Sequence, residues 1–212
     1  MSVTRYRFFF AATIVLLLSG CSGDMARRPS PASFDFAVPR PTPDAVPPPR
    51  LSLRQIEVQA PPWLELPTMQ YILAYADASI TARRAAYAES RWVAPPARLL
   101  EKSLVRDLLS TKSEIPSTGC RLHIELDEFV QVYDAPEHSR ALIEVRAMLM
   151  APRANVTLLR QSFRQSPVAG VGARAGVLAM TDATHKLGAQ IALWLKQMAD
   201  ATPALIDRCR TG

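Results

Sequence analysis

Little in this sequence points to catalysis. No HExxH and no GxSxG occurs in its 212 residues, and neither a GxGxxG nor a GxxxxGK[ST] is complete, so the metalloprotease, hydrolase and phosphate-loop signatures are absent. Three cysteines and three histidines, none at a ligand spacing, do not supply the four ligands of a structural metal site. No apolar run approaches the roughly 20 residues that a membrane-crossing helix needs. Charge of one sign is also scarce. The formal net charge is +6, and setting aside Arg5 and Arg7 from the 25 basic residues leaves 23 against 19 acidic, a net of +4. That excess is too small for a nucleic-acid footprint, although it would favour an anionic surface at long range. Glycine numbers only eight against eighteen prolines, and no internal repeat is visible. An enzyme, a metal or cofactor site and a nucleic-acid partner are all disfavoured.

What is present begins at the N-terminus. Met1–Arg7 carries two arginines and no acid, Phe8–Leu18 is apolar apart from Thr13, and Leu18-Ser19-Gly20-Cys21 follows directly. This is the layout of a secretory signal peptide over residues 1–20. The last four residues resemble the bacterial lipobox, in which the small residues admit a peptidase and the cysteine thiol takes a diacylglyceryl group. Cys21 is therefore the expected lipidation site, and several acyl chains give stable anchoring where one does not. Ser22 in place of aspartate implies, by resemblance to enterobacterial sorting, the periplasmic face of the outer membrane.

Residues 21–50 form the second region. Eight prolines fall in these thirty residues, no apolar period is sustained, and proline withholds backbone donors, so the segment reads as a tether. Its 29 residues after Cys21 would reach about 90 Å in polyproline II. Phe34 and Phe36 within it are candidate short anchors for a proline-recognising groove. Once Cys21 is lipidated, Cys120 and Cys209 are left in an oxidising compartment, where they are expected to pair; two free buried thiols are the alternative.

Residues 51–212 carry the folded domain. Leu51–Val58 and Met69–Tyr75 read as strands, with Trp63, Leu64 and Leu66 between them offering apolar side chains for burial. A short strand is expected over Ala85–Ser90. Pro95 and Pro96 suit the first turn of a helix running to about Ser110, with Leu100, Leu104 and Leu108 on one face. Leu122, Ile124 and Leu126, then Ala141 to Leu149 at every second residue, then Val156–Phe163, give three strands joined by short turns and hence an antiparallel meander. A helix over about 173–199 carries a stripe from Val177 through Met180, Thr184, Leu187, Ile191 and Trp194 to Met198. The fold class is α+β: a mainly antiparallel sheet of five or six strands with two amphipathic helices.

Arg121, His123, Glu125 and Asp127 share one face of their strand. Neighbours there are about 6.5–7 Å apart, which suits a solvated charged face better than converging ligands. His138 and His185 fall in a turn and on a helix. Gly170, Gly172 and Gly176 suit a flexible approach to the long helix.

The lipobox, the proline-rich tether, the Arg91-Trp92-Val93-Ala94-Pro95 segment before an apolar helix, the meander and the closing helix with Trp194 together resemble the ABC-type transport auxiliary lipoproteins. The most specific piece is Arg91–Pro95, where the family reads Arg-Trp-Ala-Glu-Pro and this chain has Ala94 in place of the acid. The resemblance covers about residues 51–199. It implies a non-catalytic accessory accompanying ABC transporter components and a mammalian-cell-entry-domain protein, in moving lipids or other hydrophobic molecules between the two membranes. Docking on such a partner, or on further copies of the chain itself, needs exposed apolar anchors. Trp63 and Trp92 are the candidates, with burial in the domain's own core as the alternative. Two other readings are a structural outer-membrane lipoprotein assisting envelope assembly and a lipid carrier, which would need a large apolar cavity.

Overall fold

The computed structural model describes residues 30–36, 51–75, 83–109, 118–153 and 156–210. The chain divides into two compact units, Met1–Ser30 and Pro31–Gly212. All of the first unit except Ser30 lies outside the described residues, and with it the expected signal peptide and Cys21. The second unit is α+β. Its elements are β1 (Ala32–Phe34), β2 (Leu53–Gln59), β3 (Thr68–Leu73), β4 (Arg83–Trp92), α1 (Pro96–Leu108), β5 (Cys120–Ala135), β6 (His138–Met150), β7 (Thr157–Gln165), β8 (Val168–Ala169), α2 (Ala173–Ala201) and α3 (Pro203–Arg210).

The strands form one mixed sheet in the order β1-β4-β3-β5-β6-β7, with β2 also paired to β5 and β8 to β6. The meander β5-β6-β7 is antiparallel, as its short turns require. β2 and β3 follow one another along the same edge of β5, both parallel to it. Parallel pairing needs a crossover, and α1 supplies it between β4 and β5. The interrupted alternation of Leu51–Val58 has a physical cause: a register shift between Leu53 and Gln55 inserts one extra residue, so that Leu53, Ile56 and Val58 all face inward.

A second bulge, between Leu126 and Glu128, divides β5. Before it, Leu122, Ile124 and Leu126 point to the helix-covered face; after it, Phe129 continues that face, whereas Val130 and Val132 turn to the other and cluster with Leu142 and Ile72. The main core lies between the sheet and the helices. Leu100 and Leu104 of α1, Leu187, Ile191 and Leu195 of α2, and Ile143 and Leu149 of β6 are fully buried in it. Each such side chain stabilises the fold by about 1.5–3 kcal/mol relative to an exposed one. Pro96 sits in the first turn of α1, where no intrahelical N–H is needed.

Three features were not foreseen from the periodicity. β1 and β8 are three and two residues long, too short for an alternating pattern to register, and α3 is a further helix of eight residues. β1 also lies inside the stretch that reads as tether. Six residues of that proline-rich segment, 31–36, therefore belong to the folded unit.

Candidate functional site

The segment Arg91–Pro95 is a junction of three elements. Arg91 donates from Nε to Ser33 Oγ at 3.1 Å, the Trp92 amide donates to the Pro67 carbonyl at 2.8 Å, and the Val93 amide donates to the Phe34 carbonyl at 2.8 Å. Pro95 then caps the start of α1. At its centre Trp92 is 3% exposed and meets Phe36 and Phe129 edge-on, with ring centroids 5.7 and 5.6 Å away. Such edge-to-face pairs add about 0.5–1.5 kcal/mol each beyond area burial. The partner-anchor reading of Trp92 is corrected by this burial: as the last residue of β4 it faces the helices, and no surface of it is left for another protein. Phe36, an expected anchor for a foreign groove, is instead seated against its own domain. Lys102 of α1 lies 3.6 Å from Asp35 and adds a weak exposed ion pair.

Trp63 behaves differently. It is 54% exposed, as are Leu66 at 61% and Val93 at 51%, so of the three apolar residues expected to bury between β2 and β3 Leu64 alone does so. The loop that carries them is nevertheless held. A short 3-10 turn spans Pro62–Leu64, Leu64 is locked in the core, and Gln70 Nε2 donates to the Trp63 carbonyl at 2.7 Å. Arg84 in turn holds Gln70 at 2.8 Å and pairs with Glu128. The tryptophan is thus exposed on a fixed backbone. An open groove of about 510 Å³ is lined by Glu57, Val58, Glu65, Pro95 and Arg98 among others, and touches this loop at Glu65 and not at Trp63.

At the far end of β3 and β4 a polar knot closes the start of α2. Tyr87 Oη donates to Gln131 Oε1 at 2.9 Å and lies 2.9 Å from Tyr133 Oη; Gln131 Nε2 donates to Ser139 Oγ at 2.8 Å and to the Gly170 carbonyl at 3.0 Å. The Gly172 amide donates to Tyr133 Oη at 2.8 Å. Burial, followed by the hydrogen bond and proximity of Tyr133, pushes the Tyr87 hydroxyl well above the usual phenol range. Raised in this way, the hydroxyl serves the knot as a neutral hydrogen-bonding group. Between this knot and Trp92 a cavity of about 10 Å³ remains, room for about one water and not for an acyl chain.

Two of the glycines do separate work there. Gly172 precedes the helix with φ +87°, a region that side chains avoid, whereas a Cβ on Gly176 would overlap the Gln131 amide oxygen. Gly176 is a packing requirement and not a hinge. Gly176→Ala gains about 1 kcal/mol of helix propensity but displaces the Gln131 amide, an overpacking cost of about 1–3 kcal/mol with the knot disrupted as well. The expected net result is a loss of stability on urea denaturation, and adding Gln131→Ala should make the two losses less than additive.

The face of β5 that carries Arg121, His123, Glu125 and Asp127 is half-buried and ion-paired. Arg146 of β6 pairs with Asp127 at 2.6 Å and Glu125 at 2.9 Å, and these partners, Asp127 first, hold its guanidinium above its ordinary range. His123 Nδ1 lies 3.9 Å from Glu57. Among the described residues no three His, Cys, Asp or Glu converge as metal ligands. His138, expected in a turn, is instead the exposed first residue of β6, because the turn closes in two residues and pairs it with Ala135, whereas His185 sits at the α1–α2 seam, 3.8 Å from Asp107. Cys120 and Cys209, both fully buried, are joined by a disulfide that fastens α3 to the start of β5. The pairing is the one that two leftover thiols in an oxidising compartment suggest; sequence gave no signal for the short β1 or for its aromatic seat.

The family model described as the ABC-type transport auxiliary lipoprotein component matches residues 36–192. The chain belongs to this family. The match begins at Phe36, the first buried residue of the described fold. Membership makes the chain an auxiliary lipoprotein of ABC-type transport systems, implying lipid anchoring to a membrane and association with transporter components; the family is not one of enzymes. Among solved structures, a Xanthomonas campestris protein of family DUF330 has TM-score 0.64 at 17% identity, covering 81% of this chain and all of its own. A second, described as an uncharacterized protein, has TM-score 0.57 at 14% identity and covers 78% of this chain and 99% of its own. At such identity both likenesses speak to the fold alone. No curated protein matches the chain. Among the described residues of this auxiliary lipoprotein, no helix is long and apolar enough to cross a membrane.

Proposed function

We propose that this auxiliary lipoprotein is anchored through Cys21 at the periplasmic face of the outer membrane and serves, without catalysis of its own, a transport system built from ABC components and a mammalian-cell-entry-domain protein. Its cargo class is lipids or other hydrophobic molecules passing between the membranes. The observation that carries the reading is the family match over residues 36–192, and the rigidly presented rim of Trp63, Leu66 and Val93 supports a partner-binding role. A tryptophan exposed on a braced loop has the character of an interface anchor. An anchored chain meets its partner at a high effective concentration, so a small rim is sufficient.

Cys21→Ser is expected to move the protein from the membrane to the soluble periplasmic fraction. In-cell crosslinking of the full-length lipoprotein, followed by mass spectrometry, should recover a mammalian-cell-entry-domain protein or ABC components. Trp63→Ala should sharply lower that recovery while changing unfolding free energy by no more than about 0.5 kcal/mol, as for other surface substitutions. Recovery of envelope-assembly proteins alone would overturn the proposal in favour of a structural lipoprotein.

A further inference from the structure

The meander ends in an open strand. β7 pairs with β6 along its inner edge, from Thr157 beside Met150 to Gln165 beside Ile143, and among the described residues nothing pairs with its outer edge. Alternate residues of an antiparallel strand turn both N–H and C=O away from the neighbour, so about four of its nine residues present donors and acceptors outward. Natural sheets blunt such edges with proline, with bulges, with shortness or with charge. Thr157–Gln165 contains no proline, and its register on β6 is unbroken from Leu159 to Gln165. The other edges are treated differently. Along β2 the Val58 amide donates to Glu101 Oε2 of α1 at 3.1 Å, and β4 is covered by β1 from Ser90 to Trp92. On β7 the side-chain bond to the backbone is local, from Gln161 Nε2 to the Ser162 carbonyl at 3.3 Å. Its guard is charge alone, in Arg160 and Arg164.

That guard is selective. Leu159, Gln161 and Phe163 lie beside Leu149, Ala147 and Val145 of β6 and so share the helix-covered face, where Leu159 and Phe163 are half-buried and Phe163 meets Trp194 at 5.6 Å between ring centroids. The flank of the main core is open at these two side chains. Arg160, Ser162 and Arg164 share the opposite face and are exposed. Arg164 pairs with Glu144 at 2.9 Å, whereas Arg160 reaches the Met148 sulfur at 3.3 Å and no carboxylate among the described residues. The acids of β5 nearby, Glu125 and Asp127, are taken by Arg146. We infer that this edge receives an extended segment of another protein as a further strand, with acidic side chains over Arg160 and Arg164 and apolar ones beside Leu159 and Phe163. In strand addition the backbone ladder gives affinity and the alternating side chains give specificity. A second copy of the chain is the wrong occupant. Two β7 strands paired antiparallel about Gln161 would gather Arg160 and Arg164 of both copies on one face, and β4 of a further copy begins with Arg83 and Arg84; like charges across a strand pair are destabilising.

The test uses the full-length chain in detergent micelles with fluorescein-labelled peptides that match the nine residues of β7. In one, glutamate alternates with valine; in a second, lysine replaces glutamate; in a third, proline replaces valine. Fluorescence anisotropy should show the Glu-Val peptide binding about tenfold more tightly than the Lys-Val peptide, a difference of about 1.4 kcal/mol. The Glu-Pro peptide carries the same charge but cannot complete a ladder, and it should bind about tenfold more weakly than Glu-Val. Bound Glu-Val should slow amide exchange within 157–165. Arg160→Glu, an exposed substitution whose urea midpoint should match the wild type, is expected to reverse the preference in favour of Lys-Val. Failure of Glu-Val to bind would overturn the inference, as would equal binding of Glu-Pro, a preference unchanged in Arg160→Glu, or slowed exchange confined to other strands. Dimers by sedimentation with 157–165 protected in the absence of peptide would give the edge to a second copy and overturn the acidic partner.

Discussion

Replacing Cys209 with serine is expected to lower the free energy of unfolding by about 4–5 kcal/mol. The disulfide joins residues 89 apart in sequence, and closing a loop of that length removes about this much conformational entropy from the unfolded chain. The loss also has a local part. α3 is short and strongly charged, carrying Arg208 and Arg210 in its last turn, and its buried contacts are Leu205 and Cys209. A helix of eight residues does not persist on its own in water, so without the covalent link it should fray from the start of β5. Urea denaturation of the oxidised wild type against Cys209→Ser measures the total, and amide exchange over 203–210 measures the fraying. An equal midpoint for the two proteins would show that packing of α3 is sufficient and the link redundant. Such a loss would be a large part of the roughly 5–15 kcal/mol by which domains of this kind are stable.

The second large effect is expected at Trp92. Trp92→Ala should cost about 3–5 kcal/mol, because the indole is buried at the seam of β4, α1 and the N-terminal strand and leaves a cavity when removed. The consequence specific to this fold is release of β1. Strand pairing, the Arg91–Ser33 hydrogen bond, the Lys102–Asp35 ion pair and the packing of Phe34 and Phe36 hold segment 32–36, and Phe36 loses its edge-on partner when Trp92 is removed. Limited proteolysis should then cut near Phe34–Phe36 at a rate much higher than in the wild type. Phe36→Ala is the milder companion, expected to release β1 while leaving the main core between sheet and helices in place. If Trp92→Ala destabilises the domain yet the 32–36 segment stays protected, the backbone pairing to β4 and the Lys102–Asp35 contact hold it, and the aromatic seat is not the latch.

Much of this was legible in the sequence because alternation and helical period are local. Leu122, Ile124 and Leu126, the every-second-residue run Ala141–Leu149, and the stripes of α1 and α2 all end in the core, because a strand or helix with one apolar face has nowhere else to put it. The ion-paired face opposite follows from the same alternation. The Cys120–Cys209 link was legible for a chemical reason, two thiols left over in an oxidising compartment.

What required the tertiary structure was everything decided by partners distant in the chain. Periodicity says which face of a strand is buried but not which strand lies beside it, so the parallel pairings of β2 and β3 with β5, and the seating of β1 on β4, were not predictable from it. Trp63 and Trp92 are chemically the same residue in similarly apolar surroundings. The fold sent one into an aromatic seam and left the other on a braced loop, because Trp92 ends a strand on the helix-covered face and Trp63 sits where the chain leaves one strand for the next. Composition marked residues 21–50 as unfit to build a core, yet Phe36 among them is buried. Phe36 needed only a groove already made by Trp92 and Phe129, and that groove exists only once the rest of the chain has folded.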